Sequence, residues 1–423
     1  MLIEREMYMS RIRPFIGKDI IKVMTGMRRC GKSVMLELVK RELVREGVSE
    51  ANFFSYNFED LTISNLCEAT ALHDDVCKRV QGAIGKVYLF FDEIQEVLEW
   101  EKAINSLRVR LDCDIYITGS NARLLSSELS TYLAGRYVEF VIYPFSFGEF
   151  LPLYRQSFPE AGIKECFNAF ISFGGMPFLS ELNYNENASK VYLSDAFSSV
   201  VVKDIAKRNN IRDIDLLERI IAYVMSNMGC TFSASSLSRY FKSQDRRVSV
   251  DTILNYLKFA MEAFLFYQVK REDLIGKEVL VSNEKYYIAD HGLREAVWGR
   301  NNESIELVLE NIVLIELFRR GYDVHVGRVG DKEIDFVATR QNEKIYVQVS
   351  YMLASESTIE REFGVYNLVR DNWPKYVVSM DELDMSRDGV KHVNIIEFLI
   401  AADWNLVFLV FDKSKVYFIL LGL

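Results

Sequence analysis

The sequence predicts an α/β protein with a parallel sheet in its N-terminal third and a further α/β unit towards its C-terminal end. Three observations predict this fold class. A glycine-rich loop lies between an apolar run and a helical segment within residues 20–40. Apolar strands and helices then alternate up to about residue 118, which is typical of a parallel sheet covered on both faces. A helix followed by strands returns after residue 301.

The composition is that of a globular protein with more than one domain. The chain has 423 residues, 49% hydrophobic and 26% charged, which is enough for two or three domains. A net charge of −9 argues against nucleic-acid binding over the whole surface, although a local basic patch is compatible with it. The six cysteines form no C-x-x-C pair and the four histidines are dispersed, so neither a disulfide framework nor a zinc site is predicted.

The distribution of apolar residues predicts neither a membrane-spanning helix nor a signal peptide. No apolar run approaches the roughly 18 residues that a membrane span requires. The first residues, MLIERE, lack the apolar core of a signal peptide. We therefore expect a soluble, cytoplasmic protein that does not contact a membrane.

Residues 25–33 read TGMRRCGKS and contain the pattern G-x-x-x-x-G-K-[ST], a phosphate-binding loop. The apolar run 20–24 precedes the loop as a buried strand, and residues 34–40 follow it as the start of a helix. This strand–loop–helix context is the one the motif requires. A chance glycine turn is the alternative, and a second motif further along the chain argues against it.

Each residue type in the loop has a physical role. Gly26 and Gly31 let the backbone turn tightly and approach phosphates without a Cβ clash. The free N–H groups and the helix dipole attract the anion, Lys32 reaches the β- and γ-phosphates, and the Ser33 hydroxyl holds Mg2+. The predicted nucleotide-binding residues are Gly26, Met27, Arg28, Arg29, Cys30, Gly31, Lys32, Ser33 and Val34.

The second motif is VYLFFDE at residues 87–93, an apolar strand that ends in two carboxylates. Ligands of open α/β sheets bind at the carboxyl ends of the strands. Asp92 is therefore expected in the Mg2+ shell, and Glu93 is expected to polarise the attacking water. The alternative is a buried strand that runs into a solvated acidic turn.

Three further polar residues are candidates for the same site. Ser120 and Asn121 follow the apolar strand 115–118 and can hydrogen-bond the γ-phosphate or the attacking water, and an ordinary polar turn explains them equally well. Arg136 opens the predicted strand 137–143 and is a candidate arginine finger, either in cis or donated to a neighbouring subunit. A surface salt bridge is the alternative for Arg136.

Together these motifs resemble the prokaryotic AAA-type ATPases of the archaeal-ATPase-like group. The resemblance covers about residues 5–400 and implies ATP with Mg2+, an ATP-dependent switch or motor, a winged helix and a nuclease-like tail domain. It alone favours ATP over GTP. The strings that carry it are GMRRCGKS, YLFFDEIQ, ITGSNA, LAGRY and YPFSFGEF in the first half, and GGMP, VKDI, LEN, EIDFV and VQVS in the second.

We expect four domains: the ATPase core in residues 1–145, a helical lid in 146–202, a winged helix-turn-helix in 203–298, and a restriction-endonuclease-like α/β domain in 299–423. The predicted lid helices are 147–154, 163–173 and 188–202. In the winged helix-turn-helix, the predicted helices are 215–227, 235–241 and 249–266, and the predicted hairpin strands are 279–281 and 286–288.

The winged helix-turn-helix region is mildly basic. Residues 203–285 carry 14 Lys/Arg against 11 Asp/Glu, a net charge of +3. Lys242, Arg246 and Arg247 cluster before the third helix and can meet DNA phosphates. On that helix, Thr252, Asn255 and Lys258 would then reach into a groove. Because +3 is weak for a DNA-binding protein, a protein contact or spacer role is preferred.

The last unit has an incomplete nuclease-like constellation. Glu310 on helix 305–320, Asp335 on strand 333–339 and Gln348 on strand 344–349 resemble the acidic site of restriction-endonuclease-like folds. Gln348 replaces an acid, and Ser350 stands where a lysine is expected. The sequence therefore favours a non-cleaving domain that recognises a partner. Residues 405–421 predict a β-hairpin, apolar on both faces, buried in this domain or in a subunit contact.

These observations leave three functional hypotheses. The first is Mg2+-dependent ATP binding and hydrolysis that drives or gates a C-terminal interaction module. The second is a slow ATP-gated switch that binds DNA through the winged helix or binds a protein partner. The third and least favoured is an ATP-dependent DNA nuclease. Each is compatible with a homo-oligomer in which Arg136 acts in trans.

Overall fold

The computed structural model describes residues 2–122, 133, 135–276, 278–299, 305–402 and 404. The predicted hairpin of residues 405–421 lies outside this described part of the chain.

Five parallel strands form the N-terminal sheet in the order β2-β3-β4-β1-β5. This parallel sheet confirms the predicted α/β class. The strands are β1 Ile21–Thr25, β2 Phe53–Asn57, β3 Val87–Asp92, β4 Cys113–Gly119 and β5 Tyr137–Val141. The helices are α1 Glu6–Ile12, α2 Lys32–Arg45, α3 Ala69–Arg79 and α4 Trp100–Arg110.

Two apolar layers cover the faces of this sheet because successive strand residues point to opposite sides. Val23 and Leu89 pack into the layer that α3 and α4 cover. Their neighbours Met24 and Phe90 pack into the layer that α1 and α2 cover. The central strands β1, β3 and β4 are buried along their full lengths, which explains why their sequences are mostly apolar and do not alternate with polar residues.

The register of the sheet brings the carboxyl ends of β1, β3 and β4 to one edge. Thr25 of β1 lies beside Gly119 of β4, and Phe91 of β3 lies beside Ile117 of β4. The segments that follow these three strands therefore start within a few residues of one another. This edge carries both predicted motifs.

The predicted lid region is helical. Its helices are α5 Phe147–Ser157, α6 Ile163–Phe173 and α7 Glu186–Ser199, and α7 continues as the π-helical segment Val200–Lys207. At the start of α5, Ser146 and Glu149 form a reciprocal capping box. Phe147, Phe167 and Phe170 pack edge-to-face and tilted in the core of this region.

The remaining strands form one mixed seven-stranded sheet in the order β12-β11-β10-β9-β8-β6-β7. The hairpin β6–β7 is antiparallel, and β6 pairs in parallel with β8 of the last unit. The strands are β6 Phe266–Asp273, β7 Glu278–Ile288, β8 Asp323–Val329, β9 Lys332–Arg340, β10 Glu343–Val349, β11 Lys375–Ser379 and β12 Lys391–Asn394. The sheet therefore runs across the predicted boundary between residues 298 and 299.

Seven helices in the described residues accompany this sheet. They are α8 Ile214–Ser226, α9 Ala234–Ser243, α10 Val250–Glu262, α11 His291–Trp298, α12 Ile305–Arg319, α13 Glu356–Gly364 and α14 Ile395–Ile400. Helix α12 packs its Ile315 against the core layer formed by α1 and β5, so the last unit contacts the N-terminal sheet directly.

Two details of the predicted winged helix-turn-helix are wrong. The third helix ends at Glu262, not at Phe266, because Phe264 adopts a left-handed backbone with φ 55° and β6 starts two residues later. This stop uses a residue other than glycine, so the sequence gives no signal for it. The two predicted hairpin strands, 279–281 and 286–288, are parts of the single strand β7, and their partner is β6.

Candidate nucleotide site

The loop between β1 and α2 has a backbone that only glycine can adopt at two positions. Gly26 has φ 145°, and a Cβ there would lie 2.2 Å from the carbonyl oxygen of Ile142. Gly31 has φ 102° and immediately precedes α2. These conformations aim the start of α2 at the carboxyl edge of the sheet, where a helix N-terminus attracts anions.

Lys32 is buried and points into this edge. Its Nζ donates to the Met27 carbonyl oxygen at 3.2 Å and lies 3.3 Å from Glu93 Oε1. Behind the loop, Cys30 Sγ contacts the Ile142 carbonyl oxygen at 3.1 Å, and Arg5 Nη1 donates to the Cys30 carbonyl oxygen at 3.2 Å. The structure thus brings Lys32 and Glu93, 61 positions apart in the sequence, into one ion pair.

Thr118, a residue that the sequence analysis did not single out, positions both carboxylates. Its hydroxyl donates to Asp92 Oδ1 and accepts the backbone N–H of Glu93 at 2.9 Å. Glu93 has φ 53°, a strained conformation that these contacts support. A polar residue directly after the apolar residues 115–117 of β4 is the signal that identifies Thr118.

The two carboxyl groups differ in their pKa values. Burial raises the pKa of Asp92 above its usual value, and hydrogen bonds from Thr118 and Ser33 counteract this only in part. Burial also acts to raise the pKa of Glu93, but the Lys32 ammonium and the Gln95 amide outweigh it and hold that pKa below its usual value. Glu93 is therefore ionised at neutral pH and able to accept a proton or a hydrogen bond.

Ser120 and Asn121 lie buried at the same edge, after β4. The Ser120 hydroxyl interacts with Glu93 and helps to lower its pKa. It makes no other hydrogen bond within the described residues, so it is able to bind a phosphate or a water as well. Ser33 and Asp92 are oxygen donors of the kind that Mg2+ prefers, so the site fits MgATP.

The two arginines of the loop face α7 and the π-helical segment that continues it. Arg28 Nε and Nη2 donate to Asp204 Oδ2 and Oδ1 at 2.9 and 3.2 Å, and Arg28 Nη1 donates to Glu59 Oε1 at 2.7 Å. The Arg29 guanidinium lies 5.4 Å from the centre of the Tyr192 ring on α7. Asp204 follows Arg28 by 176 positions, and Tyr192 follows Arg29 by 163 positions. No local sequence pattern predicts either contact.

Arg136 lies at the opposite edge of the sheet. The backbone N–H of Ile21, the first residue of β1, donates to the Arg136 carbonyl oxygen at 2.9 Å. The Arg136 side chain donates to Asn105 Oδ1 at 3.0 Å. At about 3.3 Å per residue, the length of β1 separates Arg136 from the loop by roughly 15 Å. Arg136 therefore does not reach the loop of its own chain, and its role in trans stays a prediction.

The predicted nuclease-like residues do meet in one cleft. Asp335 Oδ2 accepts the backbone N–H of Val349 at 2.8 Å, and Gln348 Oε1 accepts the backbone N–H of Asp335 at 3.1 Å. Glu310 accepts a hydrogen bond from the Tyr287 hydroxyl. The cleft is lined by Glu306, Glu310, Glu333, Asp335, Gln348 and Glu362, with Lys332 and Arg361 at its side.

Lys285 of β7, which the sequence analysis missed, occupies the centre of this acidic group. Its Nζ lies 2.6 Å from Glu333 Oε1 and 3.5 Å from Glu310 Oε1. Burial raises the pKa of Glu310 and of Asp335, and Lys285 offsets this in part. The described residues contain no group of three or more His, Cys, Asp or Glu side chains arranged to hold a metal ion. The ammonium of Lys285 thus lies between two carboxylates of this cleft.

The basic cluster before α10 is partly neutralised. Arg246 pairs with Asp213 at 2.7 Å and with Asp215 at 2.5 Å. Lys242 and Arg247 remain exposed, as do Asn255 and Lys258 on α10. No described helix of the protein is long and apolar enough to cross a membrane.

Two parts of the chain match known family models. Residues 18–151 match the family model described as an AAA domain. Residues 164–304 match the model described as a domain of unknown function (DUF8612), which continues past residue 202 into the predicted winged helix-turn-helix.

Two curated relatives match most of the chain. An "Uncharacterized protein" of Haemophilus influenzae is 36% identical over 400 residues, which are 94% of this chain and 99% of the relative. An "Uncharacterized protein" of Methanocaldococcus jannaschii is 29% identical over 360 residues, 82% of this chain and 78% of the relative. Among solved structures, the Aeropyrum pernix ORC2 protein aligns with this chain at 12% sequence identity and a TM-score of 0.38. The alignment covers 74% of this chain and 92% of the ORC2 chain. A TM-score this low does not establish a common fold.

Proposed function

Because the chain belongs to one family with the Haemophilus influenzae protein, and its residues 18–151 match an AAA domain, we propose that it binds ATP with Mg2+ and hydrolyses it. The observation that carries the proposal is the convergence of Lys32, Asp92, Glu93 and Ser120 at one edge of the sheet. Lysine, paired carboxylates and a buried hydroxyl at a glycine loop form the recurring machinery of phosphoryl transfer.

Each side chain has one role in the proposed reaction. Lys32 and the backbone N–H groups at the start of α2 bind the β- and γ-phosphates. Ser33 and Asp92 would hold Mg2+, which neutralises charge on the phosphate oxygens. Glu93, kept ionised by Lys32 and Gln95, accepts a hydrogen bond from the attacking water and orients it. The Ser120 hydroxyl donates to the γ-phosphate or to that water.

The nucleotide must compete with the contacts that this edge makes by itself. Lys32 lies 3.3 Å from Glu93 Oε1, and phosphate oxygens would take over much of this pairing. The exchange leaves Glu93 free to bind water while Lys32 neutralises the phosphates. Both groups sit in a buried, low-dielectric position, where preorganised charges act more strongly than in water.

The test is phosphate release from ATP by the wild type beside Glu93→Gln. We expect Glu93→Gln to keep nucleotide affinity and to lose turnover by about 10²–10⁴-fold, the usual contribution of a general base. Glu99→Gln is the matched control, because Glu99 is an exposed acid near the same turn that pairs with Lys102. Turnover of Glu93→Gln at the wild-type rate would show that another group orients the water.

We further propose that nucleotide turnover drives or gates a C-terminal module that does not cleave DNA. The position of Lys285 between Glu310 and Glu333 supports this, since its ammonium already pairs with carboxylates that a nuclease would need for a metal ion. Incubation of plasmid DNA with the protein, ATP and Mg2+ or Mn2+ should give no cleavage. Cleavage that disappears in Asp335→Ala would overturn this part of the proposal.

Two kinds of partner fit such a module. The exposed residues Lys242 and Arg247 can meet DNA phosphates, but Asp213 and Asp215 neutralise the neighbouring Arg246. A protein partner is therefore favoured over DNA. Measuring ATP turnover with and without double-stranded DNA separates the two, because stimulation by DNA assigns this surface to DNA. Very slow turnover without a partner would favour the slow, gated switch.

A further inference from the structure

The ion pair of Arg28 with Asp204 joins the nucleotide loop to the segment that continues the last lid helix. It is bidentate, with N–O distances of 2.9 and 3.2 Å, the geometry that makes arginine–carboxylate pairs both strong and directional. The Asp204 side chain is only 2% exposed and the Arg28 side chain 20% exposed. Solvent screens such a buried pair only a little. Its formation or loss therefore changes how strongly the nucleotide loop and the segment that carries Asp204 are held together.

Asp204 belongs to a segment that is well placed to transmit a change. The segment Val200–Lys207 is π-helical and joins α7 to α8, the first helix after the lid. Turns of π-helix are rare and occur frequently at functional sites. On its other side the segment packs Val201 and Ile205 into the large core that also contains the apolar residues of α8.

A second contact joins the same region to the catalytic turn. Arg208, the residue after the segment, lies 3.8 Å from Glu96, three positions after Glu93. On α7, Tyr192 contacts Arg29 of the loop. Helix α7 and the residues that follow it therefore touch both the loop that would bind phosphates and the turn that carries Glu93.

Arg28 belongs to the same loop as Lys32, four positions before it in the sequence. Arg28 and Glu93 influence each other electrostatically: Arg28 helps to lower the pKa of Glu93. Glu93 in turn contacts Lys32, which marks where the phosphates bind. Hence a γ-phosphate beside Lys32 attracts the Arg28 guanidinium and competes with Asp204 and Glu59, whereas ADP lacks that charge.

We propose that Arg28 and Asp204 form a γ-phosphate-sensitive latch between the nucleotide loop and the lid, in which Asp204 holds Arg28 until ATP draws it away. Release of Arg28 frees the segment Val200–Lys207 from the loop. Arg28 is then a positioning residue that reports ATP, and not ADP, to the lid and the C-terminal module. This inference rests on the proposed function of the same site.

The first measurement is the ratio of affinities for a fluorescent, non-hydrolysable ATP analogue and for fluorescent ADP. Asp204→Asn removes the competitor for Arg28 and should raise ATP affinity relative to ADP by about five-fold or more, the usual lower bound of coupling between sites. A purely structural role of Asp204 would weaken both affinities together. Glu59→Gln, which frees Arg28 from its 55% exposed partner, should change the ratio less.

The second measurement is trypsin cleavage at the exposed residues Lys203 and Lys207. In the wild type, we expect the ATP analogue to increase this cleavage over ADP or no nucleotide. In Asp204→Asn, cleavage should be high without nucleotide, and nucleotide should no longer change it. Glu59→Gln and Asp195→Asn, an exposed acid on α7, should keep the wild-type response.

Arg28→Lys is a second variant that tests the latch from its other side. It keeps the charge and loses the bidentate geometry, so it should retain part of the difference between ATP and ADP, and Arg28→Ala should lose it. If the wild type binds neither nucleotide, the proposed function and the latch both fall. If it binds both nucleotides and Asp204→Asn changes neither the affinity ratio nor the cleavage, the latch alone is wrong.

Discussion

Two clefts of this protein each place buried carboxylates beside a lysine, and they differ in how the charges balance. At the nucleotide edge, Lys32 lies 3.3 Å from Glu93, and the pKa of Glu93 is below its usual value despite burial. In the C-terminal cleft, Lys285 lies between Glu310 and Glu333, and the pKa of Glu310 is nevertheless above its usual value.

The difference arises from the number of acids that share one ammonium. Lys285 faces Glu310, Glu333 and Asp335 together, so burial outweighs its attraction and the pKa of Asp335 is raised strongly. Glu93 has Lys32 beside it and also the Gln95 amide, which donates to its Oε2 at 2.5 Å. A buried acid is available for chemistry only where local cations and donors outweigh its desolvation.

The largest effect is expected from Lys32→Ala. It removes the charge that would neutralise the phosphates, and we expect ATP turnover to fall by roughly 10³-fold, the upper range for one preorganised electrostatic group. The measurement is phosphate release, with nucleotide binding measured in parallel. Lys86→Ala is the control, because Lys86 lies beside the amino end of β3 and pairs on the surface with Asp112. Turnover of Lys32→Ala at the wild-type rate would show that Lys32 does not neutralise the phosphates of ATP.

Lys285→Met should be the most destabilising change in the C-terminal cleft. It leaves Glu310, Glu333 and Asp335 without their shared cation, and breaking a buried ion pair on one side costs about 3 kcal/mol or more. Denaturant unfolding measures the loss of free energy of unfolding. Lys344→Met serves as the control, since Lys344 lies over the Tyr346 ring and pairs with none of these acids. Equal free energies of unfolding for the two variants would mean that Lys285 does not offset the buried acids of the cleft.

Asp335→Asn should stabilise the protein at alkaline pH. The pKa of Asp335 is raised by burial and by Glu310, with Glu362 adding to it and Lys285 opposing it. Between the unfolded and the raised folded pKa, the folded chain binds more protons than the unfolded chain, so its free energy of unfolding falls as pH rises. Removing the acid removes this loss.

We therefore expect the melting temperature of Asp335→Asn to exceed that of the wild type by a few degrees at pH 8, with a smaller gain at pH 5. Asp331→Asn, at the exposed turn between β8 and β9, controls for the change in net charge. A gain that does not depend on pH would contradict the raised pKa of Asp335.

The smallest effect is expected from Arg136→Ala. Arg136 lies at the amino edge of the N-terminal sheet and contacts Asn105, so its removal should leave the affinity for nucleotide unchanged. If Arg136 acts in trans, the wild-type turnover per molecule should rise with protein concentration and that of the variant should not. Titration with a fluorescent nucleotide checks the first statement. Weaker binding by a dilute, monomeric variant would contradict the placement of Arg136.

Local patterns predicted much of the fold and the residues that lie together at the candidate nucleotide site. The glycines of the loop, the apolar strand before Asp92 and Glu93, and the helix–strand alternation depend on backbone geometry and on the period of burial, which a few neighbouring residues encode. The strands of the parallel sheet accordingly lie within two or three residues of their predicted positions. The end of α10 was missed because Phe264, not a glycine, stops the helix.

The contacts that long-range packing decides were the ones the sequence analysis missed. Thr118 supports Asp92 and Glu93 only because β4 lies next to β3 in the sheet. Lys285 enters the acidic cleft only because the hairpin joins the last sheet through β6 and β8. Neither neighbour relation follows from spacing along the chain.

The sequence by itself determined which residues are the candidates for phosphate binding, because Gly26, Gly31, Lys32 and Ser33 belong to one motif of nine residues. The tertiary structure alone decided which charges face one another: Arg28 with Asp204, Lys285 with Glu310, and Arg136 at the edge away from the loop. The physical reason is that electrostatic interactions depend on distance and burial in space, and strand order and helix packing set both.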